Sequence, residues 1–304
     1  MNLTEGPVRR HQHRAMATLF EVVTAGEDES FAAGGARAAF EEIDRLEQEL
    51  SRFLPNSDVS RINNLQADRP VCVSADTFEC LRLCMQYHEE SSGAFDVTTG
   101  ALKDCWIGKD RSPRVPAPEE VLEARLRCGM SRLELDVSTM SVRVRSPGIL
   151  LDLGAIGKGF AVDRAAALLR EWGVGSALVH GGGSSTYAFG ECGGQPGWPV
   201  TLSNPAGASG VLERINLNEQ GLGGSGVRHG RHIIDPRRGE PAESRRAAWV
   251  LSPGAARSDA LSTACMILTQ EEISGLVARS EDLRAITIDE TSGEILRFGR
   301  WGAA

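Results

Sequence analysis

The chain has 304 residues, 41% of them apolar and 24% charged, with a formal net charge of -8. That length holds one large domain or two modest ones around a sizeable core, and the composition is that of a globular protein. The acidic balance argues against a nucleic-acid binder, which needs a basic surface to meet phosphates. No apolar run reaches the roughly 18 to 20 residues of a membrane-spanning segment.

Residues 1–15 are polar and read as a tail ahead of a single domain over 16–304, with room for two intertwined α+β lobes. Arg9-Arg10 hints at a twin-arginine leader. The apolar stretch that follows is interrupted by Thr18, Glu21 and Thr24, which suits a strand over 16–23 better than a signal core. A cytoplasmic location is expected for the sequence as written, and a periplasmic one if a leader precedes it. Ile43, Leu46, Leu50 and Phe53 form one stripe of a helix over 31–53, which the Leu54-Pro55-Asn56 run breaks. Ser74 caps a second helix with Phe78, Leu81, Met85 and His88 on its stripe; Pro118 opens a third that ends near Gly129. The stretch 107–118 reads as an exposed excursion. A hairpin is expected over 133–145 and a short buried strand over 149–153. A helix over 160–172 closes at Gly173 and leads to a strand over 177–180. Residues 184–230 are rich in Gly, Ser and Pro, with a strand such as 199–202 inside them. Ser258 is expected to cap a helix through Leu268; a helix over 270–279 and a hairpin over 285–298 close the chain. Strands and helices mix without a regular βαβ period, so the fold class is α+β, with mixed or antiparallel sheets and flanking helices. Seven scattered cysteines without a CxxC pair read as reduced packing residues.

Four local patterns carry chemistry. In 151–160, LDLGAIGKGF, a strand ends at Asp152, three glycines let a ligand approach the backbone, and Lys158 stands where a helix begins. An ammonium and free helical N–H groups then face one point, an arrangement suited to phosphate or pyrophosphate. Lysine is scarce here, three residues against thirty arginines, which makes its place in a glycine loop more informative. The spacing is neither a P-loop nor a dinucleotide fingerprint. A turn that merely needs flexible backbone is the plain alternative.

Asp259 and Thr263 stand i and i+4 on one helix, so a carboxylate and a hydroxyl point the same way. They make a partial oxygen shell for Mg²⁺, or else a helix-start carboxylate and a hydroxyl bonded back to a carbonyl. His232, after a glycine-rich stretch from Gly221 to Gly230, is eligible as a base or phosphate contact, and His229 is equally eligible. In Gly93-Ala94-Phe95-Asp96, followed by Trp106, two aromatic rings offer stacking on a flat ring and Asp96 an acceptor; a core Phe beside a turn is the alternative.

Their order along the chain decides between these readings. Met16-Ala17-Thr18, SRFLPNSDVSRIN at 51–63, GAFDVTTGAL at 93–102 with Trp106, LDLGAIGKGFAVDRAAALL at 151–169, HIIDPRRGEP at 232–241 and DALSTA at 259–264 together resemble the ApbE-like FAD:protein FMN transferases, over about residues 16–298. The resemblance implies an ApbE-like (T-fold-like) architecture. It also implies Mg²⁺-dependent transfer of FMN from FAD to a Thr or Ser hydroxyl of an acceptor flavoprotein, with release of AMP. FAD hydrolysis to FMN and AMP is the related alternative, and a non-catalytic FAD-binding protein the rival of another class. Carried over, Asp259, Thr263 and the carbonyl of Ala155 would hold the metal. Met16, Phe53, Ala94, Phe95, Asp96, Asp152 and Lys158 would line the FAD site, with His232 and Ile233 by the phosphates. His232 and Asp259 are both candidates for the proton acceptor. Three positions depart from the family pattern: Phe53 where Tyr is usual, Gly182-Gly183-Ser184 for Gly-Gly-Asp, and Gly224-Ser225-Gly226 for Thr-Ser-Gly.

Overall fold

The computed structural model describes residues 6–108, 110, 112–205, 210–227, 230 and 232–301. Strands β1 (Val8–Ala15) and β2 (Thr18–Ala25) form an antiparallel hairpin. Its two turn residues, Met16 and Ala17, have φ of 48° and 56°, the left-handed pair that a two-residue hairpin needs. The expected tail is thus corrected over 8–15. Its polar residues make an edge strand in which charge discourages pairing with another chain. Helix α1 (Glu29–Leu50) starts at Asp28, whose side chain accepts from the N–H groups of Ser30 and Phe31. Its apolar stripe is as expected, but it ends three residues before Phe53.

Helices α2 (Asp58–Asn63) and α3 (Ala75–Glu90) are capped by Ser57 and Ser74, and strand β3 (Val71–Cys72) lies between them. Next come α4 (Gly100–Trp106) and α5 (Pro118–Arg125), the latter opened by its proline. Strands β4 (Leu133–Asp136) and β5 (Ser141–Val144) form the expected hairpin and join β3 in a three-stranded sheet. The buried strand expected over 149–153 is corrected to an extended segment with a single bridge between Leu150 and Thr99, running into a 3-10 turn. Helix α6 (Gly157–Glu171) leads to β6 (Ala177–Gly181), β7 (Ser185–Phe189), β8 (Trp198–Ser203), β9 (Val211–Leu217) and β10 (Gln220–Gly226). Short strands β11 (Ile234–Asp235) and β12 (Glu240–Pro241) pair with each other. The chain closes with β13 (Arg245–Ser252), α7 (Ala255–Cys265), α8 (Gln270–Ala278), β14 (Arg284–Asp289) and β15 (Ile295–Phe298).

The main sheet has eight strands in the order β1-β2-β6-β7-β10-β13-β14-β15, every neighbour antiparallel. One face packs on the helices, and Phe20 and Val22 of β2 join Ile43, Leu46, Ala161 and Leu261 in the main core. Side chains alternate across a strand, so Val23 faces the other way. There the separate β8–β9 hairpin covers the sheet, with Trp198, Leu202 and Leu217 against Val23, Ala188 and Leu251. The α+β class expected from the sequence is the one observed. Of the seven cysteines, four are buried, and Cys72, expected to pack, is exposed instead.

Helix α7 begins at Ala255, so Ser258 is not its cap. The N–H groups of Ala255 and Ala256 donate to the Asp163 carboxylate of α6 at 2.7 and 2.8 Å. Ser258 lies buried inside the helix, and its hydroxyl donates to the Gly221 carbonyl at 3.0 Å. The stretch 221–226, expected as part of a glycine-rich loop, is strand β10. Its glycines serve close approach to a helix. A Cβ on Gly223 would lie 2.2 Å from the Ser258 carbonyl carbon.

Burial pushes the Asp163 carboxyl up to about 7, with the Asp259 charge adding to it and the two α7 N–H groups opposing it. The folded state therefore holds this proton more tightly than the unfolded chain. The resulting stability is full below the ordinary carboxylate pKa and is lost as pH rises through about 7. Asp163→Asn should flatten the fall in urea midpoint between about pH 4 and pH 7; an unchanged slope would refute this assignment. Gly223→Ala should cost about 1–3 kcal/mol or more through overpacking. Gly275→Ala, in α8 with only the Arg279 side chain at 3.9 Å, should add about 0.5–1 kcal/mol. Equal urea midpoints for the two variants would remove the close-approach account.

Candidate active site

A cavity of about 1280 Å³ opens where the ends of β6, β7 and β10 meet the start of α6 and one face of α7. Met16, Ala94, Phe95, Asp96, Asp152, Ala155, Lys158, His232, Ile233, Asp259 and Thr263 all line it. Of the residues singled out from the sequence, Phe53 is not among the lining residues. It is 79% exposed, and the Arg52 guanidinium covers its ring at 4.9 Å. The helix expected to carry it has already ended, so Phe53 sits on a turn outside the wall. Trp106 is likewise turned away, with its indole N–H donating to the Gly239 carbonyl at 2.8 Å. Phe95 is 1% exposed and belongs to the core, so it offers no free ring face for stacking.

The glycine loop and the Asp–Thr pair meet across a tight helix contact. A Cβ on Gly159 would lie 2.4 Å from the Ala255 carbonyl oxygen, so only glycine lets α6 approach α7 this closely. The Gly159 N–H donates to Asp259 Oδ2 at 2.9 Å, and the Ser185 hydroxyl donates to the same carboxylate at 2.7 to 2.8 Å. Asp259 is the fifth residue of α7, so the helix-start reading is dropped. Burial pushes its carboxyl up to about 6, against the Lys158 charge and the hydrogen bonds from Ser185 and Gly159. No Lys or Arg among the described residues pairs with it. Among the described residues the nearest cationic influence on it is the charge of Lys158, which makes no ion pair with it.

Thr263 stands one turn further on, its hydroxyl 3.1 Å from that of Ser225, which also meets Ser262 at 2.8 Å. Ser225 belongs to the altered Gly-Ser-Gly segment. The missing side chain at Gly224 has a physical reason: a Cβ there would meet the Trp249 indole at 3.1 Å.

Lys158 lies in the first turn of α6, whose N-terminus has no side-chain cap. Lys158 lines the cavity at the positive end of the helix dipole, with its ammonium 3.5 Å from the Gly154 carbonyl, and the Gly159 N–H of the same turn is held by Asp259. Asp152 is tied into the cavity wall. Its carboxylate accepts from Lys103 at 2.9 Å and Gly154 N–H at 2.8 Å, with Arg52 at 3.4 Å. Burial acts to raise its pKa, but Lys103 and Arg52 outweigh this and hold it below the ordinary carboxylate value. Asp96 accepts from the Thr98 N–H at 2.7 Å and lies 3.7 Å from His88; burial outweighs these contacts and raises its pKa. The sequence reading missed Ser185, Lys103, Arg52 and Asp163. Arg52 and Asp163 lie inside matched blocks and Lys103, one of only three lysines, beside one, whereas Ser185 left no signal.

His232 precedes β11, its Nδ1 2.9 Å from the Gly230 carbonyl. A carbonyl only accepts, so Nδ1 carries the hydrogen of the neutral ring and Nε2 is the basic nitrogen. His229 lies outside the described residues. No group of three or more His, Cys, Asp or Glu side chains suited to a metal occurs among the described residues. The donors at hand are the buried Asp259 carboxylate, the Thr263 hydroxyl and the Ala155 carbonyl. An all-oxygen set with one carboxylate fits a hard divalent ion that takes its other ligands from phosphates and water. No helix among the described residues is long and apolar enough to cross a membrane.

The chain is similar to known proteins over most of its length. The FAD:protein FMN transferase of Salmonella typhimurium is 26% identical over 281 residues, covering 88% of this chain and 80% of that protein. The FAD:protein FMN transferase of Treponema pallidum is 30% identical over 292 residues, covering 84% of this chain and 78% of that protein. The crystal structure of the Pseudomonas stutzeri flavinyl transferase ApbE, in its apo form, superposes with a TM-score of 0.84 at 26% identity, covering 98% of this chain and 96% of that one. The sequence model of the ApbE family matches residues 16–287, and the chain therefore belongs to the ApbE family.

Proposed function

We propose that this chain is an FAD:protein FMN transferase. It binds FAD in the cavity and moves FMN to a Thr or Ser hydroxyl of an acceptor protein, releasing AMP. One observation carries the reading: a phosphate-suited helix start at Lys158 and a buried carboxylate at Asp259, with no ion pair among the described residues, line the same cavity. The names of the relatives support it.

In this reaction the acceptor oxygen forms a bond to the phosphorus of the FMN half. The bond from that phosphorus to the bridging oxygen breaks, and AMP departs with the electron pair. The hydroxyl proton passes to a base. Asp259, Thr263 and the Ala155 carbonyl would hold Mg²⁺, which when bound offsets the negative charge on the phosphates. Lys158 and the free N–H groups of α6 orient the pyrophosphate. His232, with Nε2 basic, is the proton acceptor. Asp259 is less suited to that role because its oxygens already accept from Gly159 and Ser185.

Calorimetry should find FAD bound more tightly than riboflavin, and Lys158→Ala should narrow the difference. Equal affinities for the two ligands in the native protein would remove the pyrophosphate argument. Asp259→Asn keeps the shape of the side chain and loses its charge. Mass spectrometry should find that it no longer releases AMP from FAD at limiting Mg²⁺, and normal turnover would reduce Asp259 to a structural role. His232→Ala should slow single-turnover AMP release at saturating FAD by about 10² to 10⁴, with FAD affinity largely kept. A loss of affinity with full saturated turnover would make His232 a phosphate contact and leave Asp259 as the base.

A further inference from the structure

The β8–β9 hairpin is a two-stranded sheet of its own, so β8 pairs with β9 on one side only. Val200, Thr201, Leu202, Ser203, Asn204 and Pro205 line the cavity consecutively. A strand that turned one face to a cavity would line it with alternate residues. An unbroken run means that the main-chain edge borders it.

The pairing register shows which groups that edge presents. Trp198 lies opposite Leu217, and Pro199 opposite Asn216. Proline has no N–H to give the ladder, so Pro199 belongs to a pair whose main-chain groups turn outward. Thr201, two residues on and opposite Arg214, shares that orientation. Its N–H and C=O make no other main-chain hydrogen bond among the described residues. They form the outward pair to which a further strand attaches.

Among the described residues, the edge strands β1 and β8 also differ in chemistry. β1 carries Arg9, Arg10, His11, His13 and Arg14, the charged edge of a strand guarded against pairing. β8 and its extension, Val200-Thr201-Leu202-Ser203-Asn204, hold no charged residue. Pro199 stands before the edge at Thr201 and the Asn204 N–H beyond it is held by the Gly210 carbonyl, which limits an added strand to a short segment.

We propose that the acceptor protein lays an extended segment along the free edge of β8, adding a third strand to the hairpin and carrying its hydroxyl residue into the cavity. This rests on the transferase reading. Main-chain pairing supplies affinity with little regard to side chains, so short peptides are sufficient acceptors.

The test uses the full chain with FAD, Mg²⁺ and a pool of synthetic peptides of about ten residues, each with one central threonine, a length comparable to a long strand. Mass spectrometry reads the gain of FMN. The native chain should label members of the pool. Thr201→Pro, which removes the outward N–H, should label them at least about tenfold less than Thr201→Ala, which keeps it. Circular dichroism checks that both variants fold. Should the proline variant not fold, hydrogen exchange of the native chain decides, with slower exchange of the Thr201 amide expected when a labelled peptide is added. Equal labelling by the two variants, or an unchanged Thr201 amide, overturns the proposal. Labelling of intact proteins in a lysate but of no peptide overturns it while the transferase reading stands. Labelling of neither overturns both.

Discussion

The contact of α6 with α7 at Gly159 is the constraint on which the site depends. Any side chain at that position would strike the Ala255 carbonyl, and the two helices would separate. With glycine there, its own N–H reaches the Asp259 carboxylate of the other helix. Asp163 reinforces the same junction from the other direction by holding the first N–H groups of α7. Beneath them, Gly223 of β10 lets α7 lie directly on the sheet. The glycines at 159 and 223 therefore fix where Asp259 and Thr263 stand relative to Lys158.

Two buried carboxylates in this cavity are tuned in opposite directions. Asp152 is surrounded by Lys103 and Arg52 and stays ionised below its ordinary range. It acts as a fixed structural anion that positions the cations of the wall. Asp259 is buried without an ion-pair partner among the described residues, and its affinity for a proton rises. A group in that state gains most from an external cation, because binding one relieves the cost of a buried charge. The difference between the two comes from neighbours distant in sequence, not from the residue type.

The departures from the family pattern also have local physical consequences. Gly224 leaves room for the Trp249 indole, and Ser225 keeps a hydroxyl beside Thr263. Ser184 lines the cavity where the family pattern has an acidic residue, so this wall carries one carboxylate fewer.

The sequence by itself determined the elements with strong local signals. The stripe of α1, the Ser74 cap of α3, the proline at the start of α5 and the β4–β5 hairpin all follow from periodicity and capping chemistry. The matched blocks likewise hold Lys158 and the Asp259–Thr263 pair, whose spacing is local information, whereas Lys103 and the cavity residues of β8, β10 and β13 lie outside them. What only the tertiary structure decided depends on contacts between distant segments. Strand β1 was illegible because its polar residues gain a partner only through β2. The glycines of β10 looked like a loop because their purpose is α7, which follows them by some thirty residues. Phe53 and Trp106 looked like stacking rings, yet α1 stops short of one and the Gly239 carbonyl holds the other. The roles of Ser185, Lys103 and Asp163 likewise follow from burial and pairing across the fold, which no local pattern encodes.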